Sequence, residues 1–179
     1  DAAATLLSRG YDDIETRRLV DWLAHPDQRI RQEAQFELVR RQALDELNEA
    51  ATRGEDRFAR FHAIWGLGQL GRVDDANLQK IITLLSDEDA EIRAQAIRVL
   101  SDAKPLAAAK EKLIALLKDD SPRVRGFAAR AVGAYRDPAT VAPLLNVLSA
   151  DDTADPFLRH QVVMALADVG GDHLWAKWA

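Results

Sequence analysis

Four histidines, His25, His62, His160 and His173, are the side chains best suited to hold a metal or move a proton near neutral pH. A helical metal site needs two of them three or four residues apart. His25 is followed by Pro26, His62 by Ala63, His160 by Gln161 and His173 by Leu174, so no two share a turn and no His-Glu dipeptide occurs. Metal binding is not expected. The pairs Asp12-Asp13, Asp74-Asp75 and Asp119-Asp120 fall at expected helix starts or turns, where capping and solvation account for them without acid–base catalysis. Gly66, Gly68 and Gly71 have the spacing of a phosphate loop, but they come late in an expected helix and not after a strand. They read as helix packing and termination. The absence of cysteine removes thiol catalysis, disulfides, iron–sulfur ligation and thioether-linked haem. No catalytic, cofactor or metal site is assigned.

Two other sets of residues are suited to binding. Arg31, Arg60, Arg93, Arg125 and Arg159 form a column of cations, but each stands four residues after Asp27, Asp56, Asp89, Ser121 or Asp155 and near acidic turn residues such as Asp87, Glu88, Asp119, Asp120, Asp151 and Asp152. Pairing within and between repeats makes this a structural ladder that sets register, each exposed pair contributing ~0.2–1 kcal/mol. At 100° per residue, Phe58, Phe61, His62 and Trp65 point away from Ala59, Ala63 and Leu67. They either wedge against the neighbouring repeat, where Phe36 is equivalent to Trp65, or form an aromatic patch on a concave surface. Inter-repeat packing is the preferred account. Exposed, the patch would have the residue types of interface hot spots, with Arg98 and Arg130 continuing the Trp65 column as a basic strip. These six residues are the candidate partner-binding set.

The elements that position them come from self-similarity. The pattern apolar-Arg-x-x-small recurs as Ile30-Arg31-x-x-Ala34, Ala59-Arg60-x-x-Ala63, Ile92-Arg93-x-x-Ala96, Val124-Arg125-x-x-Ala128 and Leu158-Arg159-x-x-Val162, the arginines 29, 33, 32 and 34 residues apart. A third apolar column follows seven residues after each arginine, at Leu38, Leu67, Leu100, Val132 and Leu166. The three columns are four residues apart and line one helical stripe, the small middle residue letting a partner helix approach closely. The residue four before each arginine is an N-cap type, and Pro122 and Pro156 suit the first helical position. Upstream lie first helices around Leu19–Leu23, Ala43–Leu47, Ile81–Leu85, Leu113–Leu117 and Leu144–Leu148, the second weaker and more polar. Asp137-Pro138 starts the last of these, Pro143 is expected to kink it, and Ala150–Ala154 carries about three extra residues.

No alternation of period two persists, so the fold class is all-α, an α-α superhelix of about five two-helix repeats. The solenoid spans 15–171, in repeats near 15–42, 43–72, 73–104, 105–136 and 137–171. Residues 1–14 would be an N-terminal helix or junction remnant, and 172–179, with Trp175 and Trp178 on one side, the start of a truncated further repeat. Starting at Asp1 and stopping at Ala179 without a helix stop signal, the chain reads as an excised part of something longer. At 179 residues, 47% apolar and 30% charged, with net charge −5 and pI about 5.4, it has the composition of an ordinary globular protein. No run approaches the ~18 apolar residues of a membrane-spanning helix, and the acidic balance disfavours a nucleic-acid partner.

Paired helices with Asp before the second, Arg at its fifth position and a small residue three further on resemble HEAT repeats over about residues 15–171. More narrowly, His25-Pro26-Asp27-Gln28-Arg29-Ile30-Arg31-Gln32-Glu33-Ala34-Gln35-Phe36 and Ala59-Arg60-Phe61-His62-Ala63-Ile64-Trp65-Gly66-Leu67-Gly68-Gln69-Leu70-Gly71-Arg72 are similar to the HEAT segment of planctomycete-type membrane-bound dehydrogenase proteins. That likeness implies a quinoprotein propeller before the segment, a c-type cytochrome domain after it, and an exported, periplasmic parent. None of that family's catalytic or haem-ligating residues maps onto this chain. The expected function is therefore a non-catalytic scaffold or interaction segment, its partner a protein or the neighbouring domains of the parent. The alternative is a HEAT-fold enzyme module resembling DNA glycosylases or phycobilin lyases. Because the small column must admit a neighbouring helix, Ala96→Leu should destabilise the chain by ~1–3 kcal/mol, measured by urea denaturation.

Overall fold

An aspartate or serine side chain closes the first turn of every second helix. The side chains of Asp27, Asp56, Asp89 and Asp155 accept from the amides of Arg29, Ala59, Glu91 and Phe157 at 2.8–2.9 Å, and Ser121 accepts from Val124. From these caps run α2 (Gln28–Arg40), α4 (Arg57–Gly71), α6 (Ala90–Ser101), α8 (Pro122–Gly133) and α10 (Pro156–Trp175). The first helices are α1 (Thr16–Trp22), α3 (Leu44–Arg53), α5 (Gln79–Thr83), α7 (Ala107–Ala115) and α9 (Val141–Ser149). Short 3-10 turns, Leu84–Ser86 and Leu116–Lys118, follow α5 and α7. This computed structural model describes residues 10–149 and 155–175, side chains of 171–175 excepted, and all regular structure in them is helical. The expected junction segment (residues 1–9 of it), the extra residues Ala150–Ala154 and the side chains of Trp175 and Trp178 therefore lie outside the described residues. No described helix is long and apolar enough to cross a membrane.

The chain divides into two units, Asp1–Leu84 and Leu85–Ala179. In the first, α1 packs on α2, α3 on α4, and α2 on α4; in the second, α7 packs on α8, α9 on α10, and α8 on both α6 and α10. The core of each unit is the three-column stripe. Ile30, Ala34 and Leu38 are buried on α2, as are Ala59, Ala63 and Leu67 on α4 and the corresponding residues of α6 and α8. On α10, Leu158 and Val162 are buried while Leu166 is half-buried. α2 stops in a turn where Gln42 takes a left-handed φ of 56°, its amide and that of Ala43 returning to the carbonyls of Val39 and Leu38.

Two expectations change. Pro143 does not kink the last first helix. The chain forms a 3-10 turn over Pro138–Thr140 and begins α9 at Val141, which puts Pro143 in the first turn, where an amide has no intrahelical acceptor to lose. α10 also runs unbroken through Gly170 and Gly171 to Trp175, past the point where a further repeat was expected to start. Glycine lowers helix propensity without excluding helical φ and ψ, and no proline follows to stop the helix.

In the second unit α8 meets the backbone of α10 closely: a Cβ on Gly133 would sit 2.6 Å from the Cα of Ala165. Backbone cannot yield as a side chain can. Gly133→Ala should cost about 1–3 kcal/mol, seen as a lower urea midpoint with an unchanged slope.

Candidate functional site

Three of the ladder arginines, Arg31, Arg93 and Arg125, are turned towards their own turns. Arg31 Nη1 donates to the carbonyl oxygens of His25 (2.6 Å) and Pro26 (3.0 Å). Arg93 Nη1 donates to those of Asp87 (2.7 Å) and Glu88 (3.1 Å), and Arg125 Nη1 to those of Asp119 (2.6 Å) and Asp120 (3.1 Å). In each case the acceptors lie six and five residues earlier, in the turn that leaves the first helix. Arg60 Nε reaches the carbonyl of Ala51 instead, at 2.8 Å, and Arg159 is exposed. Two arginines also reach forward to the next repeat. Arg93 forks onto both carboxylate oxygens of Asp119 at 2.8 Å, which raises the guanidinium pKa, and Arg31 Nε donates to His62 Nε2 at 3.3 Å.

On α4, one helix carries both a packing group and an outward row. His62 is buried against α2, where its Nδ1–H donates to Gln35 Oε1 at 2.8 Å while Nε2 accepts from Arg31. Those two bonds set the tautomer. Burial, with the Arg31 charge beside it, lowers the His62 pKa from 6.5 to about 4. Phe58, by contrast, is 57% exposed, with the Arg31 guanidinium 5.1 Å above its ring. Phe61 lies edge-on to Phe58 at 6.2 Å and stacks at 6.2 Å on Trp65, whose ring meets His62 edge-on at 5.0 Å. Phe61 and Trp65 are half-buried, and Phe36 on α2, equivalent to Trp65, is exposed. The four residues thus divide: His62 wedges between repeats, Phe58 stands in solvent, and Phe61 and Trp65 do some of each.

In the second unit Arg98 and Arg130 are exposed on α6 and α8, and Arg130 forms an ion pair with Asp168. Sequence reasoning missed a neighbouring cluster. Phe127 meets Phe157 edge-on at 5.6 Å, and Arg123 lies 5.3 Å over Phe127 while contacting Glu91 at 3.3 Å. In the repeat register Phe157 occupies the position of Phe58 and Phe127 that of His62, two columns that sequence reasoning followed only in the second repeat. Gln35 was missed as well, and its role needs the packing of α2 on α4. Of the other histidines, His25 Nδ1 accepts from the Asp27 amide at 3.0 Å and His160 is exposed; the His173 side chain is outside the described residues. Among the described residues no three His, Asp or Glu side chains converge on a point that would hold a metal ion.

HEAT repeats, as a family, match residues 16–101 and again 78–167. No curated protein matches. Solved structures with a similar fold include two engineered proteins of the Northeast Structural Genomics Consortium. Target OR366 has TM-score 0.62 and 23% identity over 93% of this chain and 85% of its own, and target OR329 has 0.60 and 19% over 86% and 78%. A designed armadillo repeat protein in complex with the peptide (KR)4 has TM-score 0.60 and 16% identity, covering 84% of this chain and 80% of that one. At these identities the likeness is one of fold, an α-solenoid of repeated helix pairs.

The low His62 pKa has a measurable consequence. Between pH 6.5 and about 4 the unfolded chain takes up a proton that the folded one refuses, so the His62 contribution is intact above 6.5 and is lost as pH falls towards 4. His62→Gln should flatten this part of the stability profile, compared by urea denaturation at about pH 7.5 and about pH 4.5.

Proposed function

Because this chain belongs to the HEAT-repeat family, we propose that it is a non-catalytic scaffold whose second-helix faces receive a segment of a partner protein. The row Phe58, Phe61 and Trp65 is the principal contact in the first unit, with Arg98 and Arg130 supplying charge in the second. The observation that carries this reading is Phe58. An aromatic ring more than half exposed, yet held by a cation on one side and a ring stack on the other, is already in place for binding and loses little side-chain entropy on contact. His62 supports the row from beneath by joining α4 to α2 through Gln35. The designed armadillo protein of similar fold, solved with a bound peptide, supports the general mode.

In the parent, the partner is either a separate protein or the neighbouring domains. A spacer role between a dehydrogenase propeller and a cytochrome domain rests on the two sequence runs in 25–36 and 59–72 alone.

Peptides selected from a random display library against the 179-residue chain provide the test. Phe58→Ala combined with Trp65→Ala should weaken them at least about tenfold, roughly 1.4 kcal/mol, and Phe58→Ala alone should leave the melting temperature nearly unchanged. Selected peptides that bind the double variant as tightly as the parent would remove the row from the binding site.

A further inference from the structure

In the second unit the outward row of the second helices is cationic. Five residues after the ladder arginines stand Arg98 on α6, Arg130 on α8 and Met164 on α10, all exposed. α8 packs between α6 and α10, so these residues, holding one register position, follow each other at the helix spacing of about 8–10 Å. Acidic residues outnumber basic ones in the chain, 29 to 24, yet this column contains no acid in any repeat.

Besides the ladder arginines, the charged or titratable residues around the row are Glu91 and Asp102 on α6, Arg123 on α8, and His160 and Asp168 on α10. The carboxylates stand at the rims, Glu91 two turns before Arg98, and Asp102 and Asp168 one turn beyond the row. Two of them are engaged. Glu91 accepts from Gln95 Nε2 at 2.9 Å and meets Arg123 Nε at 3.3 Å, while Asp168 reaches from α10 to pair with Arg130. Arg98 makes no ion pair with any described residue. Asp102 follows it by four residues, and an arginine N-terminal to its acid is the weaker order for such a pair.

The Arg130–Asp168 pair displays a carboxylate seated on the row. Both side chains stay accessible, 47% and 32% exposed, so water and salt screen the pair and an arriving carboxylate can replace Asp168. We propose that the second unit binds an extended acidic segment of its partner, with one carboxylate on Arg98 and another, three residues along, on Arg130 in place of Asp168. An extended chain advances about 3.3 Å per residue, so three residues match the helix spacing. Met164 then meets an apolar side chain beyond the second acid. Asp168 is an internal competitor: it holds Arg130 in the free chain and opposes the incoming acid. This deepens the scaffold reading and rests on it.

Fluorescence anisotropy of the 179-residue chain with two labelled octapeptides, one alternating Asp and Glu and the other alternating Asn and Gln, provides the test. Only the acidic peptide should bind. Arg98→Ala combined with Arg130→Ala should weaken it at least about tenfold, helicity holding because both side chains are exposed. Asp168→Asn should tighten it about two- to fivefold, whereas a purely structural ion pair would lower the melting temperature and leave affinity alone. Equal binding of the two peptides, no binding of the acidic one, a double variant that binds as the parent does, or an Asp168→Asn chain that binds no tighter would each overturn the proposal. Library-selected peptides that still depend on Phe58 and Trp65 would in any of those cases leave the scaffold reading standing, so the two fail separately.

Discussion

A pair of amphipathic helices can shield one apolar stripe between its members, but its remaining sides stay open until another pair covers them. Everything else in this chain follows from that constraint. The residue that makes the stacking possible is small: Ala34, Ala63, Ala96, Ala128 and Val162 are all fully buried, flanked one helical turn away by apolar residues that are larger in every case but Ala59. Burial of each Leu or Ile in the flanking columns is worth roughly 1.5–3 kcal/mol, against ~1 kcal/mol for a cap. Packing therefore supplies stability, while the caps and turns decide where each helix begins and which face it presents.

The arginine column joins those two tasks. A first helix ends with carbonyl oxygens that have no partner inside it. One Nη of the following arginine bonds two carbonyls in the turn beyond that end, and the rest of the planar fork is left to reach onward, as Arg93 does to Asp119. Lysine, a point charge on a flexible stem, could satisfy a carbonyl but could not hold the turn and a carboxylate in one fixed geometry. The contribution is positional more than energetic. Where the preceding turn differs, as before Arg60, the acceptor shifts to Ala51 and the spacing between successive arginines shortens.

Much of the fold was legible because it rests on local rules: Asp and Ser accept from first-turn amides in any protein, and a period of four apolar positions has one helical meaning. Pro143 was misjudged because its effect depends on where its helix begins, and a 3-10 turn over Pro138–Thr140 moves that start. The site was harder. Helical angles separate Phe58, Phe61, His62 and Trp65 from the core stripe, but they do not say which of the four meets another helix. That is settled by Gln35, 27 residues earlier, whose amide oxygen draws His62 inward and leaves Phe58 outside. The Phe127–Phe157 contact escaped notice because its members sit in different columns of different repeats.

The columns themselves separate structure from recognition. The three columns of the core stripe are chemically uniform down the chain, apolar in every copy, because the same neighbour must fit each time. The column five residues after the arginine reads Phe36, Trp65, Arg98, Arg130 and Met164, exposed or half-buried in every copy and alike in nothing else. Stacking imposes no common requirement there, so each repeat can vary that position without disturbing its neighbours. In the proposed reading this is the column a partner would meet, the rings of the first unit suiting apolar anchors and, separately, the exposed arginines of the second suiting carboxylates.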